Sequence, residues 1–150
     1  MEVPKSEQRV KVSCASCGTT NYYPLNAGGK KAACGRCRAV LPQPGMVLEP
    51  GQTEVYSLLR NSKLPVLVDF YSPTCGPCHV MHPVLDRLAR RRAGEIAVIK
   101  VDVDRFPELA SGFGIQAVPT FVVVQGGTER ARTSGAVSEE NFSLWVASRT

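Results

Sequence analysis

The chain has 150 residues, 43 % of them hydrophobic, six cysteines and a formal net charge of +5. That length accommodates one ordinary domain plus a small appendage, and the apolar content argues against a disordered chain. No apolar run approaches the roughly 18 residues of a membrane helix. The polar start "MEVPKSEQRVKVS" lacks the apolar stretch of a secretory signal, so a cytoplasmic protein is expected.

In a reducing compartment, six cysteines arranged as three Cys-x-x-Cys pairs read as metal and redox chemistry, not as a disulfide framework. The first two pairs, Cys14/Cys17 and Cys34/Cys37, stand 16 residues apart, inside the window of a four-cysteine zinc site. Each pair aims two sulfurs at one point, and tetrahedral zinc needs two such turns face to face. Gly18 and Gly35 are expected to relieve backbone crowding beside the sulfurs. Tyr22-Tyr23 suits a strand and Gly28-Gly29 a tight return. A zinc-ribbon-like module over residues 1–41 is too small to bury its own core, so one structural Zn2+ would supply its folding free energy. Residues 1–45 hold Lys5, Arg9, Lys11, Lys30, Lys31, Arg36 and Arg38 against Glu2 and Glu7, while the remainder is formally neutral. Four zinc-bound thiolates would offset part of that charge, and nucleic-acid binding is not expected. Residues 42–52, rich in proline and glycine, read as a linker, with room for a short edge strand at Met46–Leu48.

From Thr53 onward the pattern alternates. "EVYSLLRNS" places Val55, Leu58 and Leu59 on one helical face. "PVLVDFY" and "IAVIKVDV" are near-continuous apolar runs, as in strands covered on both faces. Between them, Val80, Met81, Val84, Leu85 and Leu88 recur at helical spacing. "FPELASGFG" gives a short helix ending near Gly112 or Gly114. "TFVVVQGGTERART" reads as a hairpin turning at Gly126-Gly127. "SEENFSLWVASR" opens a last helix, with Ser138 as its cap and Glu139 and Glu140 in its first turn. The order α-β-α-β-α-β-β-α implies an α/β domain over 53–150, with a mixed sheet flanked by helices.

The third pair, Cys75-Gly76-Pro77-Cys78, follows a strand and opens a helix. A thiolate there sits beside unpaired amides at the positive end of the helix dipole, which lowers its pKa. Pro77 is tolerated in the first turn, where its missing donor has no partner anyway. Cys78, one turn further in, should be more buried. Cys75 therefore reads as the nucleophile toward a disulfide, and Cys78 as the thiol that resolves the mixed disulfide.

The motifs "VLVDFYSPTCGPC", "VDVD", "AVPTF" and the Gly-Gly hairpin resemble the thioredoxin family over about residues 53–150. Together with the four-cysteine segment, the chain is similar to the zinc-containing bacterial thioredoxins of the thioredoxin 2 type. The resemblance implies a thioredoxin fold and protein-disulfide reduction. It implies protein disulfides as substrates, thioredoxin reductase as electron donor, no redox cofactor and no membrane partner; a monomer is expected. By itself, Asp69 in its apolar strand is either a buried polar group or a strand-end residue facing solvent; the resemblance makes it a buried proton acceptor serving Cys78. Lys100 interrupts the next strand in the same way, either tuning Asp69 or snorkelling from an edge. Pro119 would follow a cis bond from Val118, and Thr74, Gly76, Pro77, Val118, Pro119 and Gly135 would border the substrate. Pro83 falls inside the active-site helix, where it removes one backbone bond.

Two departures from the family pattern bear on function. Thr74 stands where a tryptophan usually precedes the first cysteine, and Tyr71 replaces another. His79 stands where the family tends to place a lysine or arginine; if protonated it would favour the Cys75 thiolate, giving a potential that depends on pH near neutrality. His79 and His82 also admit a reading as metal ligands. The alternatives to a reductase are a disulfide isomerase or oxidant, and a binding module exposed when oxidation releases zinc.

Overall fold

The computed structural model describes residues 9–14, 17–24, 33–39, 41 and 45–150. The Gly28-Gly29 return and Pro42 and Pro44 of the linker lie outside them. In chain order the elements are β1 (Arg9–Ser13), β2 (Thr20–Pro24), β3 (Val47–Leu48), α1 (Gln52–Asn61), β4 (Val66–Tyr71), α2 (Gly76–Arg91), β5 (Ala97–Asp102), α3 (Pro107–Gly112), β6 (Thr120–Gln125), β7 (Thr128–Ser134) and α4 (Glu139–Arg149). β1 and β2 form an antiparallel pair. The other strands build one sheet in the order β3-β5-β4-β6-β7. It is parallel from β3 to β4 and antiparallel from β4 to β7.

Side-chain alternation explains why both faces of this sheet are apolar. Val66, Val68 and Phe70 of β4, with Ile99 and Val101 of β5, pack against Val55, Leu58 and Leu59 of α1 and Leu109 of α3. Leu67 of β4, Val98 of β5 and Phe121 and Val123 of β6 face the other way, onto Met81, Leu85 and Leu88 of α2 and Phe142 and Val146 of α4. The Phe121 and Phe142 rings meet with centroids 4.7 Å apart. By the same parity Asp69 shares the α2 side of β4 with Leu67, and Lys100 shares that side of β5 with Val98. The register places Asp69 opposite Lys100.

Local chemistry sets the ends of the elements. Gly126 and Gly127 turn the β6–β7 hairpin with φ of +60° and +79°, a left-handed pair that twists with the strands. Ser138 Oγ accepts from the Asn141 amide at 3.2 Å and caps α4. Glu139, in the first turn of α4, receives Arg87 at 2.6 Å and Arg91 at 3.1 Å from α2, tying the two helices together.

The room left for an edge strand at 46–48 is taken up by β3, whose Val47 and Leu48 pair with Val98 and Ile99. In the second cysteine turn the left-handed residue is Arg38, with φ +68°, and in the first it is Gly18 at +76°. Each turn needs one residue to reverse the chain just after its second cysteine. Gly18 and Arg38 occupy equivalent places, and Gly35 lies earlier in the turn.

Candidate redox site and four-cysteine cluster

β4 ends at Tyr71, and five residues later α2 begins. Cys75 is the N-cap of α2, and its sulfur accepts from the Cys78 amide at 3.2 Å. Cys75 and Cys78 are joined as a disulfide with Cα atoms 5.3 Å apart. Cys78 is fully buried, and Cys75 is half-buried with Gly76 and Pro77 exposed beside it. The two sulfurs thus differ in access by their place on one helical turn. In the reduced state the Cys75 sulfur would meet the same amide and the same helix dipole, both of which favour a thiolate.

Residues distant in sequence complete the surround. Val118 O lies 3.7 Å from Cys75 Sγ. The Val118–Pro119 bond is cis, and the Gly135 amide donates to Pro119 O at 2.9 Å, with Gly135 at φ +92°. Thr74 is exposed and joins a chain of hydroxyls. Its Oγ1 lies 3.1 Å from Ser72 Oγ, and Ser72 donates to Asp104 Oδ2 at 2.7 Å. This polar chain occupies the flank where the family pattern puts a flat aromatic surface. Nothing in the sequence singled out Ser72 or Asp104, which stand 32 residues apart; only the return of β5 to the edge of the site joins them. His79 donates from Nε2 to Pro73 O at 2.7 Å, so its ring folds back toward the loop before Cys75.

On the α2 side of β4, Asp69 is completely buried, and neither carboxyl oxygen has a hydrogen-bond partner among the described residues. Burial pushes its pKa up to about 7; Lys100 opposes that rise and Glu49 adds to it. Lys100 faces the same compartment, but its ammonium is 4.0 Å from Glu49 and 5.5 Å over the Tyr71 ring. Burial, and then the hydrogen bond that its hydroxyl donates to Glu49, raise the Tyr71 phenol's pKa. The group beside the Asp69 carboxyl is instead His82, with Nε2 3.8 Å from Oδ2. The sequence left His82 as a possible metal ligand. The helical phase of α2 turns it toward β4 and stacks it edge-on against Tyr71, with centroids 5.1 Å apart.

The four N-terminal cysteines form the one group of metal-binding side chains among the described residues, their sulfurs all within 4.8 Å of one another. The turns interlock crosswise, with Cys14 Sγ 3.5 Å from Cys37 Sγ and Cys17 Sγ 3.6 Å from Cys34 Sγ. Thiolates bound at about 2.3 Å to a tetrahedral ion stand roughly 3.8 Å apart, so the set fits such a centre. Each turn is closed from within: the Gly18 amide donates to Cys14 O at 2.8 Å and the Arg38 amide to Cys34 O at 3.0 Å. The Cys37 amide, with help from Asn21 and the Arg36 amide, draws the Cys34 thiol down to about 6. Against the pull of the Ala39 amide, burial and the three neighbouring sulfurs push Cys37 up to about 11, so metal binding would release protons from the set.

A half-buried helix-capping sulfur bonded to a buried partner, at the C-terminal end of a central strand, defines a dithiol–disulfide exchange protein. The thioredoxin family model matches residues 47–148. Thioredoxin M4, chloroplastic, of Arabidopsis thaliana is 34 % identical over 144 residues, 95 % of this chain and 72 % of the relative. Thioredoxin C-3 of Corynebacterium nephridii is 33 % identical over 137 residues, 90 % of this chain and 92 % of the relative. A solved structure, a mutant thioredoxin from Halobacterium salinarum NRC-1, superposes with a TM-score of 0.65 at 35 % identity, covering 72 % of this chain and 94 % of that one. The chain belongs to the thioredoxin family. It has the thioredoxin fold and is a thioredoxin-type protein-disulfide oxidoreductase. No helix among the described residues is long and apolar enough to cross a membrane.

Proposed function

We propose that the protein is a cytoplasmic protein-disulfide reductase working through the Cys75–Cys78 dithiol, with a structural zinc ion in an N-terminal module over residues 1–41. The observation that carries the reading is the asymmetric pair itself, an accessible sulfur capping a helix and a buried one bonded to it. In the reduced form the Cys75 thiolate attacks one sulfur of a substrate disulfide. That S–S bond breaks, a Cys75–substrate disulfide forms, and the released thiolate takes a proton from water. Cys78 then loses its proton to Asp69 and attacks Cys75 Sγ. The second substrate sulfur leaves as a thiolate, and the protein is left oxidised in the Cys75–Cys78 disulfide. The substrate gains two electrons, and a thioredoxin reductase returns them to the protein. Thr74, Gly76, Pro77, Val118, Pro119 and Gly135 border the groove for an extended peptide, and Lys100 adjusts Asp69 through its charge.

The test is the reduction potential of the Cys75–Cys78 couple in the zinc-loaded chain, read by alkylation mass shift. A reductase gives a value near the roughly −270 mV of thioredoxin, whereas a value near about −180 mV, that of protein disulfide isomerase, would overturn the reading in favour of an isomerase or oxidant. Trp145 lies on α4, outside the site described above, so its fluorescence is a poor substitute readout.

Cys14, Cys17, Cys34 and Cys37 would hold the zinc, whose role is to supply folding free energy to a segment too short for a core of its own. The expected result is one zinc per chain, and Cys34→Ser should cost at least about tenfold in metal affinity while the Cys75–Cys78 potential stays within the error of measurement. A chain that binds no zinc under reducing conditions would refute this assignment. A reducing compartment agrees with four cysteines kept as thiols for a metal.

A further inference from the structure

The strand alternation of β4 seals the Asp69 carboxyl under α2. A carboxyl so enclosed exchanges its proton only through a neighbour that also reaches water. His82 Nε2 is the nearest basic nitrogen given by the structure, 3.8 Å from Oδ2, and it too is buried and without a hydrogen-bond partner among the described residues. The rest of the imidazole is not enclosed, since its side chain keeps 19 % of its surface exposed. One ring therefore spans from the buried compartment to solvent. We propose that His82 is the proton relay of Asp69, carrying out to solvent the proton that Asp69 takes from Cys78 when the mixed disulfide is resolved. This rests on the reductase reading above.

The transfers balance without any movement of redox electrons. The Cys78 S–H bond breaks as its sulfur attacks, and an O–H bond forms on Asp69. That O–H then breaks, an N–H forms at His82 Nε2, and the ring loses its other proton, from Nδ1, to water. The starting tautomer returns when the partly exposed ring swings Nε2 out to water, where that N–H breaks and Nδ1 takes a proton from solvent. A separation of 3.8 Å must close by about 1 Å to reach the 2.6–3.2 Å of a productive hydrogen bond. A small rotation of the side chain meets that demand.

The other groups facing this compartment are engaged elsewhere. Lys100 of β5 is paired with Glu49, and Glu49 also takes the Tyr71 hydroxyl. His79, on α2, is bonded to Pro73 O, and its ring centroid is 5.5 Å from that of His82. Asp86, one turn further along α2, is exposed. Burial first, then the charges of Lys100 and His79, lowers the His82 pKa, against smaller opposing effects of Glu49 and Asp86. Burial meanwhile raises Asp69 to about 7. The lowered His82 pKa keeps the imidazole neutral, with a lone pair at Nε2 for the proton it is to receive.

A purely structural histidine would serve only to pack against Tyr71, and the test must separate the two roles. The reduced full chain is mixed with oxidised glutathione, quenched in acid at short intervals and weighed, so that the Cys75–glutathione disulfide is seen to form and decay. In His82→Gln, which keeps polarity, and His82→Phe, which keeps the aromatic contact, the intermediate forms at the wild-type rate. Its decay near pH 7 is slowed by at least about tenfold. In His82→Ala, added imidazole restores the decay. Decay within about twofold of wild type in both Gln and Phe variants, between about pH 6 and 8, would overturn the relay. So would a wild-type rate in His82→Phe alongside a slow His82→Ala that imidazole does not rescue. Failure of the wild-type chain to form the Cys75 intermediate at all would instead sink the reductase reading, and the relay with it.

Discussion

Cys75→Ser is expected to reduce protein-disulfide turnover to below about one part in 10⁴ of wild type. The size of the effect follows from the chemistry. A serine hydroxyl at the same helix N-terminus is not ionised at neutral pH, and its oxygen cannot form the disulfide that carries the electrons. The helix dipole and the Cys78 amide, 3.2 Å from the Cys75 sulfur, act on the nucleophile and cannot substitute for it. Cys78→Ser fails differently, because the accessible sulfur still attacks and the product is a trapped Cys75–substrate disulfide. An insulin-reduction assay, with intact-mass measurement of the stalled species, distinguishes the two. Zinc content should be the same as wild type in both variants, since neither touches the four-cysteine cluster. Residual activity of Cys75→Ser comparable to wild type would remove Cys75 from the reaction.

The parts of this arrangement legible in the sequence are those written locally. The Cys75-Gly76-Pro77-Cys78 turn lies between an apolar run and a helical repeat, so its place at a helix start follows from neighbours. Asp69 stood out as a charge in an otherwise apolar strand, and the spacing of Cys14, Cys17, Cys34 and Cys37 implied convergence. Contacts made by packing were not legible. His82 lies 13 positions from Asp69, and only the phase of α2 across β4 brings them together. Lys100 was legible as an interruption in its strand, but its closest acid, Glu49, sits in a stretch that proline and glycine mark as a linker. That stretch also supplies the two-residue β3, for which the sequence left room at Met46–Leu48 without showing that it pairs with β5. The Thr74–Ser72–Asp104 chain was missed because small hydroxyl residues carry no positional signal until β5 has been placed.

Asp69→Asn is expected to stabilise the oxidised protein by roughly 4 kcal/mol at pH 8 and by about nothing below pH 4. Asp69 is the reverse of the common salt-bridged carboxylate. In the unfolded chain it ionises near its ordinary 3.8, and in the fold burial holds it protonated to about 7. Between those values the unfolded state binds fewer protons than the native state, so native stability falls as pH rises, and the loss levels off above about 7. Below the lower value the carboxyl is neutral in both states and resembles the amide that replaces it. Both bury a polar group without a partner, so that cost largely cancels between the two chains. Urea unfolding at a series of pH values measures the divergence directly. Parallel stability curves for the two chains would show that Asp69 does not enter the fold as a protonated acid, and would remove it as the acceptor for Cys78. The same substitution should slow the resolving step, because the amide cannot take the Cys78 proton and His82 would have nothing to carry. The fold thus sustains at neutral pH a buried acid that weakens it by several kcal/mol, a cost that the proposed role as proton acceptor for Cys78 would explain.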